Sequence, residues 1–411
     1  MRLLFITCSL PHPPLTGSAL MASHHIRYLA VRHTVDLISF RNRANPSELG
    51  DLPRWCNDIE LVDRPPRWRV LINMISGITL GLHTDVSRSR STEMTEVVNR
   101  RLANAAYDVV LFQHVQMAQF RPSWYQGPTV WSFEAPIVLK MQRELPVYPW
   151  YLRIFARHTI GRLKRYEARQ ALHFDRITYL NEEEYPDYKT TIGRTRVDSV
   201  PYGVDVDAFC PSPEIPRREG MIVITGNMFH RPNVDGVEYF CKEIFPLVCK
   251  QMPSATLWIV GAKPVRSVTK WNRDPRIRVT GFVPDVRAYL REAMVSVCPI
   301  RARVGTLTKM LEALACGTPV VSTSAGNCGI GAICGEHLYI ADDPSAFADK
   351  VVALLTGKRW SELSQNGRSF VVENFAWEKS GAKLEQILED LAATSGKEER
   401  IPPIKESYQL R

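Results

Sequence analysis

Residues Pro299–Ser324 read PIRARVGTLTKMLEALACGTPVVSTS. The apolar run Val295–Ile300 before them is short and β-branched, which predicts a buried strand rather than a helix. A helix follows over about Thr306–Cys316, with Thr306 or Thr308 as the capping residue at its start. Gly317 stands where a helix-ending glycine belongs, and Pro319 stands where a helix cannot continue. Val320 and Val321 resume a buried strand. Strand, loop, helix, strand is the unit of a parallel α/β sheet. A helix N-terminus beyond the carboxyl end of such a strand presents free N–H groups and a positive dipole end, a seat for phosphate. Lys309 adds a point charge. Glu312, three residues on, shares its helical face and suits sugar hydroxyls. A nucleotide would use both groups; the competing reading is a solvent-exposed Lys–Glu pair.

The run K-x-x-E-A-L-A-C-G-T-P-V-V resembles the nucleotide-sugar signature of retaining GT-B glycosyltransferases, the glycosyl transferase group 1 or family 4-like enzymes. The resemblance implies that Glu312 holds the ribose of a nucleotide-diphosphate sugar. The family carries a second glutamate eight residues earlier, where this chain has Val304. A bacterial exopolysaccharide-type branch instead reads roughly Gly-Gly-Gly-Thr-Arg-x-Lys. Gly305, Thr306 and Lys309 fit that version, and Leu307 replaces its arginine.

The 411 residues suffice for two domains, and a 45% apolar, 23% charged composition is that of a soluble globular protein. The net charge of +9 favours anionic partners: a nucleotide sugar or an anionic membrane. Nucleic acid is the third class of anionic partner, but no aromatic-and-basic RNA-reading motif stands out, so it ranks last and none is expected. Nine cysteines lie scattered with no C-x-x-C pair or zinc spacing, as in a reduced cytoplasmic protein. No segment reaches the ~20 apolar residues of a spanning helix.

The chain opens as β–loop–α–β: strand Arg2–Cys8, a loop to Gly17, a helix over about Ala19–Val31 and strand Thr34–Phe40. The resemblance implies that Gly17 and Ser18 face an interdomain cleft on the acceptor side. Further strands end at His114 and at Glu134, and a polar residue at such an end points into the crevice. His114 matches a histidine that lies close to the donor sugar in the family. VPYGVD at Val200–Asp205 resembles the element closing the N-terminal domain, and Asp207–Gly220 reads as a linker. The alternation then restarts with strand Met221–Thr225 and the loop GNMFHRPN. Gly226 and Asn227 match the family's diphosphate loop, with Arg231 as a displaced basic residue. GFVPDV, containing Val283, resembles the loop beside the nucleotide base, and Phe375-Ala-Trp377 opens a terminal helix that crosses back.

The expectation is therefore an α/β chain of GT-B type, two Rossmann-like domains facing across a cleft. Residues 1–205 form the acceptor domain and 206–375 the nucleotide-sugar domain; 376–394 form the crossing helix and 395–411 a flexible tail. Glycosyl transfer to a glycan, a lipid-linked sugar or a small molecule would proceed with retention. The resemblance implies no metal and no cofactor beyond the donor substrate. His114, Lys309 and Glu312 carry the chemistry. The rivals are a sugar-nucleotide epimerase on the same fold and a degenerate nucleotide-sugar-binding protein.

Two stretches add a partner. Arg64–Leu82 places Trp68, Leu71, Ile75, Ile78 and Leu82 at helical spacing beside Arg64, Arg67 and Arg69. Tyr148–Arg169 interleaves Trp150, Tyr151 and Phe155 with six basic residues. Both suit an anionic membrane surface at the cytoplasmic face. The competing reading packs Trp68, Leu71 and Ile75 into the first domain's core.

Overall fold

The computed structural model describes residues 1–14, 17–41, 49–79, 82–132, 137–145, 150–180, 196–302 and 306–394. Glu134, Val304, Gly305 and the tail from 395 onward lie outside the described residues.

Two parallel sheets organise the chain. The first, ordered β3-β2-β1-β4-β5-β6-β7, comprises β1 (Arg2–Thr7), β2 (Thr34–Phe40), β3 (Asp58–Val62), β4 (Val109–Gln113), β5 (Thr129–Ser132), β6 (Arg176–Tyr179) and β7 (Arg196–Ser199). The second, ordered β10-β9-β8-β11-β12-β13, comprises β8 (Arg218–Thr225), β9 (Thr256–Val260), β10 (Ile277–Gly281), β11 (Ala293–Cys298), β12 (Val320–Ser322) and β13 (Tyr339–Ile340). Both orders contain the doubly wound 3-2-1-4-5-6 pattern, whose direction of winding reverses between the first and fourth strands.

The sequence of each central strand explains why both faces are covered. In β1, Leu4 and Ile6 join one core cluster while Leu3 and Phe5 join another on the opposite face. In β8, Ile222 and Ile224 face one cluster and Met221 and Val223 another. A strand buried on both faces is continuous apolar sequence rather than an alternation.

The helices that bear on function are α1 (Gly17–Leu29), α2 (Arg67–Thr79), α3 (Thr92–Asn104), α4 (Trp150–Ala171), α5 (Arg231–Tyr239), α6 (Thr308–Ala315), α7 (Trp360–Phe375) and α8 (Trp377–Thr394). The helical segment after β8 is interrupted: a π-helical turn, Phe240–Ile244, separates α5 from the segment Phe245–Gln251. Pro246 has no N–H with which to continue the regular ladder.

Although α8 follows the second sheet in sequence, it packs on the first. Leu384, Ile387, Leu388 and Leu391 share a cluster with Leu3, Phe5 and Leu29. The VPYGVD element forms the seam. Val204 N–H donates to Phe375 O at 2.7 Å, and the Tyr202 hydroxyl donates to Gly17 O at 3.2 Å. Ser380 Oγ donates to Pro201 O at 2.6 Å, so His25 Nε2, 2.9 Å from that Oγ, is the donor to it. A Cβ on Gly203 would come within 2.3 Å of the Trp377 ring, which itself stacks on His24 at 4.3 Å. Glu385 of α8 is buried and takes Arg32 at 2.6 Å and His33 at 2.8 Å.

Residues of the expected linker are held against the second domain. Arg291 donates to Cys210 O at 2.7 Å and Ala208 O at 2.9 Å, and Arg368 donates to Phe209 O at 3.1 Å.

Candidate functional site

The loops after β8 and β11 flank the point where the second sheet reverses its winding. Their geometry starts from glycine. Gly226 ends β8 at φ +144°, where a Cβ would lie 2.9 Å from the Asn233 amide nitrogen. Gly261, after β9, approaches so closely that its Cβ would fall 1.7 Å from Gly226 O. The missing Cβ of Gly261 lets these two backbones meet, and that of Gly226 leaves room for the Asn233 amide. Asn227 then turns the chain: its Oδ1 accepts from Phe229 N at 3.0 Å, and His230 N–H donates to its carbonyl at 3.1 Å.

Asn233, in the first turn of α5, joins this loop to α6. Its Nδ2 donates to Asn227 O at 2.9 Å, and its Oδ1 accepts from Lys309 Nζ at 2.7 Å. The Lys309 ammonium is thereby set between the N-terminal turns of α5 and α6. Neither terminus has a side-chain cap: His230 and Leu307 occupy the cap positions without bonding back to the helix. The expected threonine cap on α6 is not formed. The helix begins at Thr308, and the Thr306 hydroxyl donates to Gly329 O at 3.1 Å instead. Two helix N-termini and an ammonium converge here, an arrangement suited to a diphosphate.

The other end of α6 is firmly anchored. Gly317 has φ +65°; its N–H bonds to Leu314 O, and Thr318 N–H bonds to Ala313 O at 2.9 Å. This double closure satisfies the last carbonyls. Arg217 donates to Cys316 O and Gly317 O at 3.0 Å each, and Ser364 Oγ donates to Gly317 O at 2.6 Å. Cations suit a helix C-terminus, so Arg217 positions α6 from behind.

Glu312 lies one turn beyond Lys309 and is half-buried. Its carboxylate accepts no hydrogen bond from a described residue, and burial raises its pKa to about 7 despite the opposing field of Lys309. Burial likewise lowers the pKa of Lys309, against the fields of Cys298 and Glu312. The solvent-exposed Lys–Glu pair is therefore not what forms. Lys309 binds Asn233, and both Lys309 and Glu312 are held in a site whose burial disfavours their charged forms.

The remaining donor-side residues are placed unequally. Arg231 is the exposed first residue of α5. The side chains of Leu307 and Val283 are partly buried and pack against the second domain's core. Phe229 and Phe282, in the loops after β8 and β10, are 68% and 75% exposed. Together with Asn233 and Arg217 they are residues that the sequence reading passed over. A phenylalanine inside a glycine-containing loop at a strand end was the available signal for the two aromatics.

On the first sheet, the same switch point between β1 and β4 sets the start of α1, Gly17 and Ser18, beside Gln113, the residue before His114. Gln113 Nε2 donates to Ser18 O at 3.3 Å, while Gln113 Oε1 is buried with no partner among the described residues. His114 has φ +80° and ψ 155°, a region that glycine occupies almost alone. Its backbone is held there by its own N–H to Ser132 O at 2.7 Å and by Trp131 Nε1 to its carbonyl at 3.0 Å. Its Nδ1 lies 2.9 Å from Gln113 O, an acceptor only, so Nδ1 carries the proton and Nε2 keeps its lone pair. Burial lowers its pKa to about 4, against the Gln113 carbonyl. His114 is thus a neutral hydrogen-bond acceptor at pH 7.

Residues 219–357 match the family model described as Glycosyl transferases group 1. Among curated proteins, the chain is 24% identical over 240 residues to a GDP-mannose-dependent alpha-(1-6)-phosphatidylinositol monomannoside mannosyltransferase of Mycolicibacterium smegmatis; the match spans 52% of this chain and 62% of that protein. It is 27% identical over 166 residues to an uncharacterized 44.6 kDa protein in the cps region of Klebsiella pneumoniae, spanning 38% of this chain and 42% of that protein. Each match thus spans less than two thirds of the relative's length. Among solved structures, sucrose-phosphate synthase of Thermosynechococcus elongatus superposes with a TM-score of 0.71 at 18% identity, covering 96% of this chain and all of that one. Anabaena HepE in complex with UDP gives 0.66 at 14% identity, covering 95% of this chain and all of that one.

Proposed function

We propose, from the GT-B fold and the group 1 glycosyl transferase domain in its second half, that the protein is a glycosyltransferase. It moves a sugar from a nucleotide-diphosphate donor to an acceptor held by the first domain, without a metal and with retention of anomeric configuration. The observation that carries this reading is the junction of Gly226, Asn227, Asn233 and Lys309 at two uncapped helix N-termini, with the unpartnered Glu312 carboxylate one turn away. That junction supplies donors for a diphosphate and an acceptor for a polyol, the two halves of a nucleotide sugar.

The chemistry follows from charge. As the bond from the anomeric carbon to the diphosphate breaks, negative charge grows on the leaving oxygen. The helix N-termini and Lys309 stabilise that charge more than they stabilise the ground state. Glu312 accepts hydrogen bonds from the ribose hydroxyls, and this raises the fraction of its ionised form. His114 Nε2 accepts a hydrogen bond from a hydroxyl of the transferring sugar or the acceptor. The acceptor is a glycan, a lipid-linked sugar or a small molecule. The protein's similarity to a mannosyltransferase acting on a phosphatidylinositol mannoside supports a lipid-linked one.

A thermal-shift screen with UDP-, GDP-, ADP- and dTDP-sugars tests the donor site, since a ligand bound only by the folded form raises its stability. One nucleotide series should raise Tm and should lose that effect in Glu312→Ala. Product analysis with the donor alone separates transfer from epimerisation. Activity that EDTA abolishes and Mg²⁺ restores would refute the metal-free mechanism.

A further inference from the structure

Helix α2 is built inside out. Its inward face is polar or small: Asn73 Nδ2 donates to Arg90 O at 2.9 Å, and a Cβ on the buried Gly77 would lie 1.9 Å from Ser87 Oγ. Its outward face carries Trp68, Leu71, Ile72 and Ile75, each between 53% and 63% exposed. These residues recur at i, i+3, i+4 and i+7, so they form one stripe. The alternative in which Trp68, Leu71 and Ile75 fill the first domain's core is overturned by these exposures. Placing polar groups inward and large apolar groups outward is unfavourable for a protein that meets only water at this face.

The charge around the stripe identifies what covers it. Arg67 and Arg69 are exposed at its start, and no acidic residue occurs from Arg64 to Gly81. The second basic stretch lies against the same helix, because Arg162 of α4 donates to Gly77 O. On α4, Trp150 and Ile154 are 75% and 67% exposed, among the exposed Arg153, Arg157, Lys164 and Arg165. No acidic residue occurs from Trp150 to Tyr166. A second copy of this chain would bring two such cationic faces together. Beside α2, a cavity of about 730 Å³ is lined by Trp68, Arg69, Ile72 and Arg90, with Ser91 and Thr92 at the start of α3. Its wall thus joins apolar side chains to two guanidinium groups and two hydroxyls.

We infer that α2 is a membrane-docking helix. Its outward stripe enters the headgroup boundary of an anionic bilayer, and the adjoining cavity takes the phosphodiester headgroup of one lipid. Arg64 does not belong to this surface. Its guanidinium donates to Cys8 O at 2.6 Å and lies over Phe40 at 5.4 Å, so it holds the fold. An amphipathic helix with aromatic and basic residues at its polar margin binds a bilayer through apolar burial and charge together.

The experiment is flotation of the full chain with phosphatidylglycerol or phosphatidylcholine vesicles, at low salt and in 1 M NaCl. The expected result is recovery with phosphatidylglycerol at least tenfold above that with phosphatidylcholine, released by high salt. Leu71→Ser/Ile75→Ser should lose at least tenfold of that recovery, and so should Arg67→Gln/Arg69→Gln. Vesicles with brominated acyl chains should quench the wild type's tryptophan emission, and Trp68→Phe should lose most of that quenching. Both double variants should keep the wild-type Tm and nucleotide affinity, which keeps this test separate from the donor site. Equal recovery with both lipids at low salt would overturn the proposal. So would undiminished binding by the Leu71/Ile75 variant, or a concentration-dependent dimer of the wild type that this variant abolishes.

Discussion

Replacing Glu312 by glutamine should uncouple donor affinity and stability from pH, in opposite directions. Burial raises the Glu312 pKa from 4.5 to about 7 in the free protein, while Lys309 pulls it the other way. A folded pKa above the unfolded one means that the side chain's stabilising contribution is complete below pH 4.5. It is lost as pH rises through 7. At 1.36 kcal/mol per unit, the penalty at pH 8 reaches roughly 3 kcal/mol as an upper bound, because water still reaches a half-buried carboxylate. Glu312→Gln should therefore match the wild type in stability near pH 4.5 and exceed it at pH 8. Donor binding runs the other way. Ribose hydroxyls favour the carboxylate, so wild-type affinity should fall by up to about tenfold per pH unit below 7. At pH 8 the variant lacks charge-assisted hydrogen bonds and should bind about 10–150-fold more weakly, for about 1.5–3 kcal/mol lost. At pH 5.5 the two proteins should bind almost alike. Urea unfolding across pH 4.5–8 and calorimetry in buffers of different ionisation enthalpy measure both effects, the second through the proton released on binding. An affinity ratio that stays constant with pH, together with no gain in stability at pH 8, would refute the reasoning.

The other predictions concern single contacts. Lys309→Ala should lower kcat more than it raises KM, because the ammonium meets charge that grows in the transition state; an equal rise in KM at unchanged kcat would make it a ground-state contact. Asn233→Ala should reproduce part of that kcat loss by freeing Lys309 Nζ from its 2.7 Å partner, and a wild-type kcat would show that the link is idle. Gly226→Ala, at φ +144° with Asn233 2.9 Å from the added carbon, should cost about 1–3 kcal/mol in urea unfolding and weaken nucleotide binding. His114→Ala should lower turnover at least tenfold. At saturating donor, where the bound ribose keeps Glu312 ionised, the wild-type kcat profile should show no inflection between pH 6 and 7, because burial holds the His114 pKa at about 4.

Much of the site could be read from the chain because its signals are local. Gly317 and Pro319 mark the end of α6, and the double closure at Leu314 and Ala313 forms there. The spacing of Lys309 and Glu312 places them one turn apart on that helix, and Gly226 marks the strand end where backbones touch. The start of α6 was less legible. Thr306 could cap the helix or bond elsewhere, and Gly329, 23 residues away, provides the acceptor it uses.

The sequence by itself determined the strand–loop–helix alternation, the glycine breaks and the run of residues 309–321 that carries the resemblance. These depend on backbone conformation and on neighbours within a few residues. Tertiary structure alone decided that Asn233 grips Lys309 across 76 positions, that Arg217 holds the far end of α6, and that His114 is neutral with Nε2 unprotonated. It also decided which way α2 faces. Helical periodicity shows that Trp68, Leu71 and Ile75 share a stripe. Whether that stripe meets the core or the outside depends on what lies opposite, and here the inward side is taken by Asn73 and Gly77 against Arg90 and Ser87. Periodicity fixes a direction only relative to the helix axis; the packing of neighbouring elements supplies the rotation about it.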